Sequence, residues 1–168
     1  MPLGGTAFKR FAIDAADKVD HHDIARLRGT LFRDLDRRSI ALGDVIQRLV
    51  DLGADALLLE AEDDLGGTWY HNRYPGCRFD SESYTYGYSF SKELLEEWHW
   101  TERFSPQPEN LRYLNFVAEK FDLRRHMRFE SRVDAMTWDE ASRTWRLDLE
   151  GGDAYTARFV ITLSLIHI

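Results

Sequence analysis

A single cysteine, Cys77, stands in a chain of 168 residues. No internal disulfide and no multi-thiolate zinc site can form, and that usage suits a reducing, cytoplasmic compartment. No apolar run approaches the roughly 20 residues that cross a bilayer. Lys9, Arg10, Asp14, Asp17 and Lys18 break up any signal-peptide core in the first twenty residues, so no membrane partner is expected. Positive charge is in deficit: 22 Lys and Arg against 29 Asp and Glu leave a formal net charge of -7. That balance disfavours a phosphate backbone, and no nucleic acid is expected as a partner. The histidines at 21, 22, 71, 99, 126 and 167 lack the His-Glu-x-x-His spacing, so no metal site is expected. Neither a Gly-x-Ser-x-Gly elbow nor a phosphate-loop lysine motif occurs, which removes the common hydrolase and nucleoside-triphosphatase readings. Internal repeats and low-complexity stretches are absent as well.

What the chain does have is core-forming material, with 43% hydrophobic and 13% aromatic residues. Residues 1–22 are weakly patterned and receive no fold. From Asp23, the apolar residues Ile24, Leu27, Leu31, Phe32 and Leu35 fall at helical spacing and predict a first amphipathic helix. A second is predicted over Gly43 to Leu52, with Gly53 ending it. The continuous run Ala56-Leu57-Leu58-Leu59 then reads as a strand buried on both faces, closed by Glu60. Helix, glycine, buried strand and terminal acid resemble the second half of a βαβ nucleotide-binding unit.

Residues 61–90 carry five tyrosines, Trp69, Pro75 and four glycines with no long helical period, the composition of an ordered loop on which something packs. Ser91 is placed to cap a short helix running through Trp98. Pro108 and Glu109 open a stronger helix to about Phe121. Beyond it the period changes to that of strands: Arg128-Phe129, Val133 to Trp138, Thr144 to Leu149 and Tyr155 to Thr162 predict a β-meander whose last strand enters the core.

The string Gly66-Gly67-Thr68-Trp69-Tyr70-His71-Asn72-Arg73-Tyr74-Pro75-Gly76-Cys77-Arg78-Phe79-Asp80 resembles the flavin-contacting loop of the Baeyer-Villiger monooxygenases, within the class B flavin-containing monooxygenases. The resemblance continues through Tyr84 to Ser91, Glu97-Trp98, Gln107-Pro108-Glu109 and Phe121-Asp122-Leu123-Arg124, and covers roughly residues 45–162. It implies an α/β fold: a partial Rossmann-like FAD-binding domain, a parallel sheet with helices, plus the β-meander, truncated before the NADPH domain. The implied division is 1–38 as an N-terminal extension, helical in part, 39–162 as the partial FAD-binding domain, and 163–168 as a tail of the kind a translated sequencing adapter encodes.

The resemblance also assigns roles. Glu60 falls on the adenosine ribose of FAD, where a strand-end carboxylate accepts from vicinal hydroxyls. Gly66 and Gly67 let the backbone approach a flat cofactor. Thr68, Trp69, Tyr70 and His71 lie along the flavin, with Tyr86 nearby, and the backbone of Val133 meets the adenine. Arg78 and Phe79 approach NADP. Asp80 is the catalytic candidate, a carboxylate beside the isoalloxazine that can hold a guanidinium. The implied cofactors are FAD and NADPH; the implied reactants are a ketone and O2, giving an ester or lactone. An N- or S-oxygenating flavin monooxygenase and a non-catalytic flavin-fold module are the alternatives, and oligomeric state is left open. One departure is plain: where the glycine turn for the FAD pyrophosphate is expected, near residues 37–42, the chain reads Arg37-Arg38-Ser39-Ile40-Ala41-Leu42. A degenerate or misread N-terminal region is expected, of the kind a shifted reading frame would produce, and no turnover is expected from these 168 residues alone.

Overall fold

In the computed structural model, residues 9–14 and 42–163 are described. The helix expected from Asp23 and the segment 37–41 lie outside them. Helix α1 (Leu42–Asp51) presents Ile46 and Leu49 inward, both fully buried. It stops where the sequence places a glycine: Gly53 takes φ 72° and its N–H donates to the carbonyl of Val50 at 2.9 Å, a left-handed cap that a side chain would strain.

The described residues fall into two compact units, one containing 9–14, 48–64 and 124–163 and the other 42–47 and 65–123. In the first, β2 (Asp55–Leu59) buries Ala56, Leu58 and Leu59, as its unbroken apolar run requires. Its sheet also holds β1 (Lys9–Asp14), β3 (Met127–Arg128) and β7 (Phe159–Leu163), in the order β3-β2-β1-β7. β2 and β3 are parallel, Leu58 opposite Met127. β1 runs antiparallel to both neighbours, with Arg10 opposite Leu59 and Asp14 opposite Asp55 on β2, and Ile13 opposite Phe159 on β7. This strand falls in the region given no fold: six residues carry too little periodicity to announce themselves, and pairing on both sides holds them.

The second sheet is the expected meander, β4 (Val133–Asp139), β5 (Thr144–Leu149) and β6 (Ala154–Ala157), with a bulge between Val133 and Ala135. The expected last strand, Tyr155 to Thr162, is two strands broken at Arg158. Tyr155 and Ala157 alternate onto the meander's core, whereas the continuous apolar run 159–161 joins the other sheet, so one straight strand cannot serve both. The core of this unit is Leu59, Leu147, Leu149 and Ala157, with Leu57, Val133, Met136, Trp145, Tyr155 and Val160 packed on it.

The second unit contains the one-turn helix α2 (Thr68–His71), a 3₁₀ turn at Ser83–Tyr86, α3 (Lys92–Glu97) and α4 (Gln107–Lys120). Ser91 caps α3 as expected, its hydroxyl oxygen accepting from the Leu94 amide at 3.2 Å. Pro108 sits in the first turn of α4, where the missing N–H costs nothing. The inner face of α4 buries Tyr113, Val117 and Ala118, and the Tyr113 hydroxyl oxygen accepts from the Tyr88 amide at 2.8 Å. No helix among the described residues is long and apolar enough to cross a membrane.

Candidate functional site

In the first unit, Glu60 follows β2 and is 1% exposed. Its backbone is held on both sides: its N–H donates to the Arg128 carbonyl at 2.9 Å, and its carbonyl accepts from Ser131 at 2.8 Å. Side-chain Oε1 accepts from the Ala61 amide at 3.0 Å. A buried carboxylate survives only with such donors, so the acid belongs to the design of this strand end, which is where α/β sheets place ligands. Val133 opens β4 opposite Leu149, half-buried on the meander core, with its side chain used in packing.

The second unit orders the glycine- and aromatic-rich string. Gly66 and Gly67 take φ 133° and 52° and start α2, whose Tyr70 and His71 amides both donate to the Gly67 carbonyl at 3.0 Å. A Cβ on Gly66 would lie 2.6 Å from Leu111 Cδ1 and 3.0 Å from Tyr70 Cβ. The close approach at Gly66 is therefore to the protein's own helices. Tyr74-Pro75-Gly76-Cys77 is a turn with φ 80° at Gly76 and the Cys77 amide donating to the Tyr74 carbonyl at 3.1 Å, the geometry that a Pro-Gly pair selects.

Three rings then converge. Phe79 and Tyr86 lie 3.9 Å apart between centroids and tilted by 33°, while Trp69 meets Phe79 edge-on at 4.8 Å and Tyr86 at 6.3 Å. The Trp69 indole N–H points to the Tyr86 hydroxyl at 3.4 Å. Thr68 and His71 are exposed and Tyr70 half-buried, with the Arg73 guanidinium 4.7 Å from the Tyr70 ring centre. Phe79 is buried within this cluster, so its contribution is to packing. Arg78 is exposed, its guanidinium donating to Glu102 at 2.9 Å and to the Phe104 carbonyl at 3.0 Å. Asp80 is exposed and has no ion-pair partner among the described residues. Of the predicted residues, Gly66, Gly67, Thr68, Trp69, Tyr70, His71, Arg78, Phe79, Asp80 and Tyr86 share this unit, and Glu60 and Val133 share the other.

Sequence reading missed what holds the loop. The Gln107 amide N–H donates to the Cys77 carbonyl at 2.8 Å, and its side-chain amide donates to the Trp69 carbonyl. Glu109, 2% exposed, accepts from the Thr101 amide at 2.9 Å, the Thr101 hydroxyl at 2.8 Å and the Ser105 hydroxyl at 2.7 Å. Burial pushes its carboxyl up, but the bonds from Ser105 and Thr101 outweigh burial and hold it below the usual carboxylate range. The sequence shows Glu109 only as a helix-start acid; nothing local shows that its donors lie in the preceding loop.

Two surface cavities of this unit, about 690 and 620 Å³, are lined by residues such as Arg73, Leu111 and Phe116, and Leu94, Trp98 and Trp100. Neither includes Asp80 or the three-ring cluster.

No protein-family model matches the chain. A 2-oxo-Delta(3)-4,5,5-trimethylcyclopentenylacetyl-CoA monooxygenase of Pseudomonas putida is 49% identical over 110 residues, covering 66% of this chain and 20% of that protein. An acetone monooxygenase (methyl acetate-forming) of Gordonia sp. strain TY-5 is 41% identical over 117 residues, covering 70% and 22%. A solved OTEMO complex with FAD and NADP superposes with a TM-score of 0.63 at 46% identity, over 68% of this chain and 21% of that one. The chain is a relative of the Baeyer-Villiger monooxygenases. It spans about a fifth of the length of the curated relatives it matches. Among the relatives is also a phenazine N-monooxygenase of Lysobacter antibioticus, 38% identical over 111 residues, so the shared stretch is common to Baeyer-Villiger enzymes and an enzyme named for oxygenation at nitrogen.

Proposed function

We propose that this chain carries the flavin-facing segment of a Baeyer-Villiger-type monooxygenase, which as a whole protein uses FAD and NADPH to insert one atom of O2 into a ketone, giving an ester or lactone. The observation that carries this reading is the ordered loop 66–86, with its one-turn helix and the packed Trp69, Phe79 and Tyr86 rings, in a stretch 41% identical to an enzyme whose product from acetone is methyl acetate. Ketone to ester is an oxygen insertion beside a carbonyl. The bound flavin supplies the redox and oxygen-transfer chemistry.

The residues fit two parts of that cofactor. Glu60, at a strand end with backbone donors on Oε1, suits vicinal ribose hydroxyls as donors to its carboxylate. Thr68 to His71, with exposed Thr68 and His71 and half-buried Trp69 and Tyr70, offer a short rigid surface for a planar ring. Asp80 supplies an exposed carboxylate able to hold a guanidinium through paired hydrogen bonds, and Arg78 a guanidinium for a phosphorylated nicotinamide cofactor.

The pyrophosphate seat does not fit. In a βαβ unit a strand parallel to β2 delivers a glycine turn to a helix N-terminus at the Glu60 end. Here β1 is antiparallel, and its last residue, Asp14, pairs with Asp55 at the opposite end of β2. The stretch before α1 reads Arg37-Arg38-Ser39-Ile40-Ala41, with no glycine of the kind that lets backbone amides approach a phosphate. On this ground the chain by itself binds FAD weakly and turns over no ketone. A second reading, oxygenation at nitrogen, is favoured by the phenazine N-monooxygenase relative; this segment orients the flavin and leaves the acceptor to residues elsewhere.

The test is a chimera: residues 42–162 replace the matching stretch of the acetone monooxygenase. The expected result is a yellow protein, with FAD retained through gel filtration, and NADPH- and O2-dependent formation of methyl acetate. A folded chimera that retains no flavin would overturn the reading.

A further inference from the structure

Glu109 is a buried ionisable group that the proposed chemistry does not use. It lies in the first turn of the 14-residue helix α4, where a negative charge faces the positive end of the helix dipole. Its three hydrogen bonds run into the 101–105 loop. Polar groups buried this completely are costly unless satisfied, so the arrangement fixes the loop to α4.

Ser105 is the hub. It is fully buried, and all of its polar groups are engaged, the carbonyl also accepting from the Asn110 side-chain amide at 3.3 Å. The hydroxyl donates to Glu109 at 2.7 Å. The carbonyl accepts the Phe79 amide at 3.0 Å. The backbone N–H donates to the Ser83 hydroxyl oxygen at 2.7 Å, and Ser83 opens the 3₁₀ turn that ends at Tyr86. Two of the three clustered rings, Phe79 and Tyr86, are thus carried by backbone that Ser105 holds, and Ser105 is pinned by Glu109. The third ring, Trp69, is tied to the same end of α4 through the side chain of Gln107.

We infer that Glu109 is a positioning residue, whose buried carboxylate sets the geometry of the Trp69, Phe79 and Tyr86 rings by holding Ser105 and Thr101 against the start of α4. The inference rests on the flavin reading only for what the rings face. The geometry it assigns is measurable without any cofactor.

A glutamine at 109 keeps the arrangement: its carbonyl accepts the Thr101 amide, and its NH2 donates to the Ser105 and Thr101 hydroxyls, which rotate to accept. An alanine removes all three bonds. The experiment measures near-UV circular dichroism of the purified chain, with the Trp69 contribution assigned as the difference from Trp69→Phe, alongside the far-UV spectrum. For Glu109→Ala the expected result is loss of the Trp69 signal at temperatures where the far-UV spectrum is still native, and recovery of that signal in Glu109→Gln. A merely structural Glu109 would lower the thermal midpoint and leave the Trp69 signal unchanged below it, which would overturn the inference. Should Glu109→Ala fail to fold, Ser105→Ala keeps the backbone hub and cuts only its tie to Glu109. A diminished Trp69 signal in that variant supports the inference, and an unchanged one overturns it. Flavin retention in the chimera carrying Glu109→Gln separates the two proposals: a cofactor-free but ring-ordered protein contradicts the flavin reading alone.

Discussion

At the scale of single residues, two glycines with positive φ separate steric need from backbone need. Gly66 has both, since a methyl group there would stand 2.6 Å from Leu111 Cδ1 and 3.0 Å from Tyr70 Cβ. Gly76 has φ 80° and nothing within 4 Å. Gly76→Ala is expected to cost about 1–2 kcal/mol from left-handed strain alone, and Gly66→Ala to cost more, by about 1–3 kcal/mol of overpacking. Urea unfolding of the two variants checks the order. Glu109 makes a second residue-scale prediction. Its folded-state carboxyl lies below the ordinary value, so its ionisation stabilises the fold fully above the unfolded-state pKa, and that contribution is lost as pH falls through the folded-state value. Stability measured by urea unfolding should therefore fall on acidification below the ordinary carboxylate range, and fall less in Glu109→Gln. An equal fall in both would remove Glu109 from the acid response. Glu60 and Trp69 were legible in the sequence because each belongs to a local pattern, a strand end and an aromatic loop. Ser105 and Ser83 were not, because a serine's role here depends on partners about twenty residues away.

At the scale of elements, apolar pattern decided what formed. α1, β2, α3 and α4 follow the sequence to within a residue or two, because each has a stripe, a cap or a breaker in its own string. The broken strand at Arg158 was not legible, since no turn residue marks it; the break comes from two sheets claiming different halves of one apolar run. The meander's dependence on its core is testable at Leu147, which is fully buried on β5. Leu147→Ala is expected to cost about 2–5 kcal/mol, against less than about 0.5 kcal/mol for Thr137→Ser at an exposed position of β4. Denaturant midpoints of both variants decide whether the meander core is as tight as the packing implies. Ser91→Ala should cost about 1 kcal/mol by removing the cap on α3.

At the scale of the whole chain, one sheet holds a conflict between sequence resemblance and topology. The resemblance covers α1, β2 and the loop beyond, and the comparisons bear it out at 41–49% identity. Of the two strands beside β2, β3 is parallel but β1, the one that precedes it in the chain, is antiparallel, where a dinucleotide fold needs a preceding parallel strand ending in glycines. Among the described residues, the loop and the acid at Glu60 that the proposed function assigns to the flavin therefore stand without a parallel strand and glycine turn that would seat its phosphates. Purified chain mixed with FAD and passed through gel filtration should elute without flavin absorbance; retention of one flavin per chain would contradict this. Most direct for the central claim is a crystal structure of the FAD-loaded chimera that carries residues 42–162 in the acetone enzyme. The expected result is the Glu60 carboxylate within hydrogen-bond distance of the ribose hydroxyls and Thr68 to His71 against the isoalloxazine edge. A flavin seated elsewhere, with residues 66–86 away from it, would contradict the claim.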